Sequence, residues 1–399
     1  MINSRTIENL HPALLVVPFY ASLLISADSQ ISRGIFKRAA LYTIFWLWKK
    51  RASLSSTLNL SSLIGITFIA YMAASSLWGE STDINTYRRW GAGLSVFWIT
   101  LTILTQTSEK HLYETTLLLI FCTCIAALYS SIHYFVSPDA PLRNMGPGMI
   151  RHPILGPSVL ISVGATSVML LQYCKRFPLA LISVLFASLL IYTLTTASRG
   201  PLLSLGVWGL ALALVSPVPL YVKKVAITLG ILFLLGLYLA LPEFVLSLIE
   251  RGSTYRIDIW KTVIPTLQDN FFFGHGVSLD FVTTETSRRL EEITGLAIEH
   301  PHNLGLSTWL YSGLVGVILL AVTTLSGIAI LYKKNTTSLF YCFPLICAVF
   351  FLSLTDLSKL VSPPSAIWFI FWLPLAILSG LSTRDDENDL NITSLHSNP

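Results

Sequence analysis

The chain has 399 residues, of which 53% are hydrophobic and 12% are charged, with a net charge of +5. A soluble domain usually carries about 25% charged residues, so this composition excludes an ordinary soluble globular protein and predicts a surface that mostly faces lipid. The modest net charge does not favour a nucleic-acid partner. All five cysteines lie in or beside apolar runs, so neither structural disulfides nor a thiolate zinc site is expected.

Long apolar runs recur from one end of the chain to the other, and the first is interpreted as an uncleaved signal-anchor helix. A hydrocarbon core of about 30 Å needs about 20 apolar residues per helix. The sequence therefore predicts an all-α polytopic membrane protein with about twelve transmembrane helices in one transmembrane domain over residues 1–381, followed by a disordered cytoplasmic tail over 382–399. The predicted spans are 12–28, 35–49, 58–78, 90–106, 115–136, 153–174, 178–196, 201–217, 224–246, 303–332, 338–357 and 364–381.

Lysines and arginines are predicted to lie on opposite faces of the membrane. With both termini in the cytoplasm, the short lysine-bearing turns face the cytoplasm, as the positive-inside rule requires. Most arginines then fall on the outer face against that rule, and a guanidinium binds phosphate bidentately. A diphosphate ligand on the outer face would explain this pattern; contacts with lipid phosphates and loop carboxylates are the simpler alternative. The outer-face set is Arg33, Arg38, Arg88, Arg89, Arg143, Arg151, Arg199, Arg251, Arg256, Arg288 and Arg289.

A long polar segment, residues 250–302, separates two strongly apolar runs and is predicted to be a periplasmic loop that contains two short helices. Arg256 and Trp260 are four residues apart in the first of these helices and therefore share a face. An apolar plug and a turn are predicted at 271–276. A loop of this kind above membrane-embedded helices would form a lid over a site at the membrane interface.

His302 is the leading candidate for catalysis. It follows Pro301 at the start of a predicted transmembrane helix, at the outer interface. The positive end of a helix dipole disfavours a charged imidazole, and a neutral imidazole can act as a general base. The alternative is an interfacial histidine that hydrogen-bonds a loop carbonyl.

Arg199 stands in a tight turn before Gly200 and Pro201, on the same predicted face as His302. A charge at a membrane boundary is costly unless it reaches water or binds an anion, and a helix N-terminus also attracts anions. Arg151 lies at another helix start, where it could line a site or belong to an ordinary helix start. His300 and His302 have too few nearby ligands for a metal, so no metal or cofactor is expected.

Three segments together resemble the superfamily of O-antigen ligases and O-antigen polymerases. The first is Ser198-Arg199-Gly200 at a helix start. The second is the Arg-x-x-x-Trp stretch from Arg256 to Trp260 with the later Gly-His-Gly at 274–276. The third is the His-Asn pair at 302–303, followed after nine residues by Gly313. The resemblance covers roughly residues 190–320.

The resemblance implies a bacterial inner-membrane enzyme that transfers O-polysaccharide from undecaprenyl diphosphate to lipid A–core on the periplasmic side. It implies metal-independent and nucleotide-independent chemistry with inversion at the anomeric carbon. His302 is then the base that deprotonates the acceptor hydroxyl, and Arg199 and Arg256 hold the diphosphate. Arg251 is a weaker partner for the diphosphate. Further residues that could line the substrate site are Trp260, His300, Asn303 and Arg151.

Two other functions stay open at this stage. A polymerase would join repeat units on the same lipid carrier, but such enzymes tend to have two sizeable outer loops, and the earlier outer loop here, residues 137–152, is short. A transporter of lipid-linked sugars should carry polar or charged residues deep within its spans, and the predicted spans contain almost none.

Overall fold

The structure is a computed structural model that describes residues 13–49, 59–79, 84–137, 142–240, 242, 246, 255–334, 336–355, 357 and 360–382. Within those residues the chain consists of helices, turns and loops. Some sequence predictions lie outside the described residues. They are the role of Arg251, the first residues of the signal-anchor segment, most of the last residues of the predicted span 224–246, the first residues of the predicted loop 250–302, and the tail beyond Ser382.

Fifteen α-helices are found in the described residues. They are α1 Ala13–Ile25, α2 Ser29–Lys49, α3 Leu60–Ala74, α4 Ile84–Thr105, α5 Glu109–Val136, α6 Leu155–Tyr173, α7 Leu179–Thr195, α8 Arg199–Val215, α9 Leu220–Ala240, α10 Arg256–Thr266, α11 Glu285–Thr294, α12 Leu304–Lys334, α13 Thr336–Thr355, α14 Ile367–Ile370 and α15 Trp372–Leu381. Short 3₁₀ turns occur at Ser75–Leu77, Gly148–Ile150 and Phe281–Thr283.

Within the described residues, every apolar run predicted as a span overlaps a helix, so the all-helical prediction is confirmed. Among the described residues, four stretches are long and apolar enough to cross a membrane by themselves: Leu60–Leu77, Glu109–Val136, Leu155–Tyr173 and Leu304–Lys333. The full count of twelve crossings stays a prediction. Two predicted spans are interrupted, because α12 contains a break and the last span is divided at Phe371 into α14 and α15. Helices α2, α4 and α5 each begin six residues earlier than the spans predicted for them.

Helix α6 lies at the centre of the bundle, where it packs against α5, α7, α8, α13, α14 and α15. Almost all of its side chains are buried, and many of them are Ser, Thr, Gly or Ala. Small side chains let neighbouring helix backbones approach closely in a membrane protein. Around this centre the core is rich in large rings, including fully buried Trp98, Trp208, Trp368 and Trp372.

Helix α12 is broken near its start. Gly313 has φ 67° and ψ −171°, a backbone conformation that glycine adopts without the steric penalty of a Cβ. A break frees backbone groups that must find partners in a membrane. The loop at 271–276 supplies them: His275 N donates to Leu310 O at 2.8 Å, and Leu314 N donates to Phe271 O at 2.8 Å.

The same loop is also fixed to the end of α3. Trp78 Nε1 donates to Phe273 O at 3.1 Å, and Val277 N donates to Ser75 Oγ at 3.0 Å. Gly274 has φ 69°, and a Cβ there would collide with the backbone at the break in α12. The segment predicted as an apolar plug, residues 271–276, therefore connects the break in α12 to the end of α3 through hydrogen bonds of its backbone.

Residues 255–301, which we call the cap, have a small hydrophobic core of their own. It is separate from the main core and lies against the first half of α12. Its buried members are Ile259, Val263, Leu267, Leu279, Phe281, Leu290, Ile298, Leu310 and Tyr311. Because the last two belong to α12, the cap is fixed directly to the helix that follows His302.

Candidate functional site

Contacts between the cap and the start of α12 position His302. Trp260 Nε1 donates a hydrogen bond to the carbonyl of buried Pro301 at 3.2 Å. His302 N lies 3.2 Å from Nδ1 of His300, and the two imidazole rings are 4.0 Å apart between centroids. Trp260, His300 and His302, all predicted from the sequence, are therefore brought together.

Helix α12 begins at Leu304, one residue after the start of the predicted span 303–332, and Pro301 lies before its first turn. Asn303 is the N-cap residue of α12: its Oδ1 accepts from Leu306 N at 3.1 Å, as is usual for asparagine before a helix. His302 precedes this N-cap residue and has φ 52°. His302 thus stands just outside the helix N-terminus, half-buried, in a left-handed conformation that its sequence position did not reveal.

Arg256 is the first residue of α10, one turn before Trp260 on the same face. Tyr255, which precedes it, has φ 61° and gives the helix no side-chain cap. A cation at this end of a helix opposes the helix dipole, although Asp258 in the first turn offsets part of that charge. Because Trp260 contacts Pro301, the face that carries Arg256 is the face turned towards the 300–302 segment.

Arg199 occupies the equivalent position in α8, as the first residue of the helix. Ala197, two residues earlier, has φ 48°, and the first turn of α8 contains no acidic residue. A cation and a helix N-terminus both attract anions, so their combination at Arg199 favours an anionic ligand. The uncapped backbone N–H groups of the first turn would add to the attraction.

A neighbouring arginine holds the turn before Arg199. Arg143 donates from Nε to Thr196 O and from Nη2 to Ser198 Oγ, both at 2.8 Å. Ser198 Oγ in turn donates to Pro153 O at 2.5 Å. The loop between α5 and α6 is thus joined to the turn that presents Arg199. Sequence reasoning placed Arg143 in the outer-face set but gave it no separate role.

Arg199 and His302 lie at the same end of the bundle. Ser204, in α8, donates to Ala348 O of α13 at 2.9 Å, so the start of α8 lies beside the end of α13. Leu357, just beyond that end, has its carbonyl 3.5 Å from Ser307 Oγ near the start of α12. At a rise of about 1.5 Å per residue, each of these contacts lies within about 11 Å of the relevant helix end.

Left-handed backbone at residues other than glycine is concentrated at this site. In the described chain such residues are Lys175, Ala197, Tyr255 and His302. Three of these four are, or directly adjoin, a turn presenting Arg199, Arg256 or His302. A conformation of this kind costs of the order of 1–3 kcal/mol and is found preferentially at functional sites, and it leaves little signal in a sequence.

Two further outer-face arginines form ion pairs with a carboxylate of the same helix. Arg288 and Arg289, in α11, both contact the Glu285 carboxylate, at 2.7 Å and 3.2 Å. Hydrogen bonds from Arg288, the larger effect, and from Arg289 lower the pKa of Glu285 from its ordinary value. This pair matches the simpler alternative, contact with a loop carboxylate. Arg151 is exposed in the loop before α6.

These features define a multi-pass, all-helical membrane protein with a candidate site at one end of its bundle. Comparison with known proteins then shows what this chain is similar to. Residues 183–321 match the family model described as O-Antigen ligase, and that stretch includes Arg199, Arg256, His302 and the break at Gly313. The chain is also 26% identical over 329 residues to the O-antigen ligase of Pseudomonas aeruginosa, covering 79% of this chain and 76% of that protein. The resemblance predicted from the sequence is confirmed.

Proposed function

We propose that this protein is an O-antigen ligase, which transfers O-polysaccharide from undecaprenyl diphosphate to a sugar of lipid A–core at the periplasmic face of the bacterial inner membrane. The observation that carries the proposal is the coincidence of the family match with the strained turns. The matched region contains Arg199, Arg256 and His302, and a left-handed residue lies at or just before each. The match to the O-antigen ligase family model supports a glycosyl-transferring role in lipopolysaccharide synthesis.

His302 is the proposed general base. Its imidazole takes the proton of the acceptor hydroxyl while the acceptor oxygen attacks the anomeric carbon. The bond from that carbon to the diphosphate oxygen breaks on the opposite side, with inversion. A placed base typically contributes about 10²–10⁴-fold to such a step. The contacts of Pro301 and His300 with their neighbours hold the imidazole at the start of α12.

Arg199 and Arg256 are proposed to bind the diphosphate and stabilise the charge that develops as it leaves. Both stand at helix N-termini, where the dipole adds to the field of the guanidinium groups. Fixed donors aimed at developing charge are each worth about 3–4 kcal/mol. The reaction proposed here needs neither a metal nor a nucleotide, since the arginines supply the positive charge.

Four other residues predicted from the sequence have supporting roles in this proposal. Trp260 holds the His302 segment through Pro301, His300 lies against the His302 ring, and Asn303 caps α12. Their proposed role is to position the base. Arg151 is proposed to meet an anionic group of the donor.

The test is the lipopolysaccharide profile of a deletion strain complemented with wild type, His302→Ala, Arg199→Ala, Arg256→Ala or Lys110→Ala, each checked for its level in the membrane. Lys110 is an exposed residue of α5 and serves as the control. We expect wild type and Lys110→Ala to restore the O-antigen ladder and the other three to lose it. A full ladder with well-expressed His302→Ala would remove His302 as the base.

The same bacterial deletion strain distinguishes a ligase from a polymerase. In the absence of the protein, polymer accumulating on the carrier lipid supports a ligase, whereas single unpolymerised repeats support a polymerase. Purified protein that releases undecaprenyl diphosphate when both substrates are added rules out a pure transporter.

A further inference from the structure

A cavity of about 770 Å³ opens between α1, the second half of α5 and the loop that precedes α6. Its volume lies within the range of about 300–1,000 Å³ that is typical of ligand sites. Much of the lining is apolar and aromatic, including Leu24, Phe121, Ile125 and Tyr129. We call this cavity the α1–α5 groove; none of the residues assigned to catalysis lines it.

One end of the groove is polar and basic. Arg151 and His133 both line it, and both are exposed. His133 lies in the last turn of α5. A groove with apolar walls and a cation at one end matches a lipid with an anionic head group, because the chain removes apolar surface from water and the guanidinium forks onto phosphate.

The third wall of the groove is fixed to the other two. Gly148 has φ 53°, and a Cβ there would collide with the backbone of Leu23 and Leu24 in α1. On the other side, buried Asn144 donates from Nδ2 to Ser130 O of α5 at 3.0 Å. The loop therefore lies directly on both helices, so the groove is preformed.

The loop that lines the groove is also the loop that holds the turn before Arg199. Arg143 contacts Thr196 and Ser198, and Ser198 contacts Pro153, two residues after Arg151. A head group bound at Arg151 therefore lies on a segment in direct contact with the proposed diphosphate-binding element.

We propose that the α1–α5 groove binds the isoprenoid chain of the prenyl diphosphate donor, with Arg151 meeting the diphosphate on its way to Arg199. This inference rests on the proposed function, since that function supplies a donor with one apolar chain and a diphosphate. It goes further by assigning the isoprenoid chain to a particular groove and by placing the contact between Arg151 and the donor away from the reacting atoms.

Photo-crosslinking of the purified full-length protein tests the inference without requiring transfer. The probe is farnesyl diphosphate that carries a diazirine in its first isoprene unit, and labelled peptides are identified by mass spectrometry. We expect labelling within α1, α5 and residues 142–151. Ala21→Trp, which fills the groove, should abolish this labelling. Arg151→Gln should weaken it about tenfold, as expected when a charge-assisted contact is lost.

Leu210→Trp is the matched control, because it enlarges an exposed side chain of α8 that does not line the groove; its labelling should equal that of the wild type. Arg151→Gln keeps the inference testable if Ala21→Trp fails to fold. Labelling outside these segments would overturn the inference, as would equal competition by phosphatidylglycerol, which would mark the groove as a general lipid contact.

Failure of this inference is distinguishable from failure of the proposed function. Wild type that restores the O-antigen ladder but carries the label elsewhere keeps the ligase function and loses the groove. Wild type that is labelled in the groove but transfers no polysaccharide to lipid A–core loses the ligase function and keeps a prenyl diphosphate site.

Discussion

The indole N–H of Trp260 and the carbonyl oxygen of Pro301 are joined by a hydrogen bond of 3.2 Å. An indole is a donor only, and this donor is directed at the residue immediately before His302. The bond therefore ties the orientation of α10, which begins with Arg256, to the position of the proposed base. The cap and the start of α12 meet through this contact.

Trp260→Phe should reduce transfer while leaving the protein in the membrane. Phenylalanine retains most of the ring packing but cannot donate to Pro301. A lost hydrogen bond of this kind costs about 0.5–1.5 kcal/mol, or about 2–13-fold in rate. The measurement is the initial rate of polysaccharide transfer to lipid A–core by purified protein.

Trp48→Phe provides the matched control for that measurement. Trp48 is an exposed residue of α2, so the same change of side chain should leave the rate unaltered. An unchanged rate for Trp260→Phe would mean that the bond to Pro301 does not position His302 during the reaction.

Gly313→Ala should destabilise the protein. Its φ of 67° is unfavourable for alanine, and the added Cβ would collide with the backbone of Phe272, so the loss should be at least about 1–3 kcal/mol. The midpoint of thermal unfolding in detergent, at one fixed scan rate, reports this loss. Gly230→Ala in α9 is the control, since a Cβ there meets nothing within 4 Å; its midpoint should equal or exceed that of the wild type.

If Gly313→Ala unfolds at the wild-type temperature, the break in α12 is not a fixed part of the fold. A second readout is the yield of folded protein in membranes, which should fall in parallel with the midpoint. Both readouts are independent of substrate and therefore of the proposed function.

The sequence predicts the helices well because the membrane requires long apolar segments with internally satisfied backbones. It also identifies Arg199, Arg256 and His302 as candidates. What it does not reveal is the strained backbone at Ala197 and Tyr255, since such conformations at residues other than glycine depend on tertiary contacts. Similarly, the pairing of 271–276 with the break in α12 depends on two segments about 40 residues apart.

Arg143 and Ser198 should behave as a coupled pair. Arg143 donates to Ser198 Oγ at 2.8 Å, so Arg143→Gln and Ser198→Ala remove the same contact. We expect each to slow transfer. The double variant should be slowed by less than the product of the two single effects, because the shared contact is lost only once, with a coupling energy of about 0.5–3 kcal/mol. The double-mutant cycle is measured on the transfer rate, and purely additive effects would contradict a positioning role for Arg143.

Arg89 and Thr86 provide a control cycle of the same chemistry. Arg89 Nη2 donates to Thr86 Oγ1 at 2.8 Å, on an exposed face of α4. Exposed polar contacts contribute little, so Arg89→Gln and Thr86→Ala should leave the transfer rate close to that of the wild type, singly and together. Any large effect in this cycle would show that the assay responds to general disturbance of the surface.

His302→Gly should separate the strain at His302 from its chemistry. Glycine adopts φ 52° without a steric penalty, whereas alanine retains the penalty. His302→Gly should therefore be more stable than His302→Ala by about 1–2 kcal/mol in free energy of unfolding and should unfold at a higher temperature. Both variants lack the imidazole and should lose about 10²–10⁴-fold in transfer rate. Unfolding midpoints and transfer rates measured on the same purified samples check both statements. Equal midpoints would mean that the left-handed backbone is relaxed in the variants, and transfer by His302→Gly at the wild-type rate would remove the histidine from the mechanism whatever the strain.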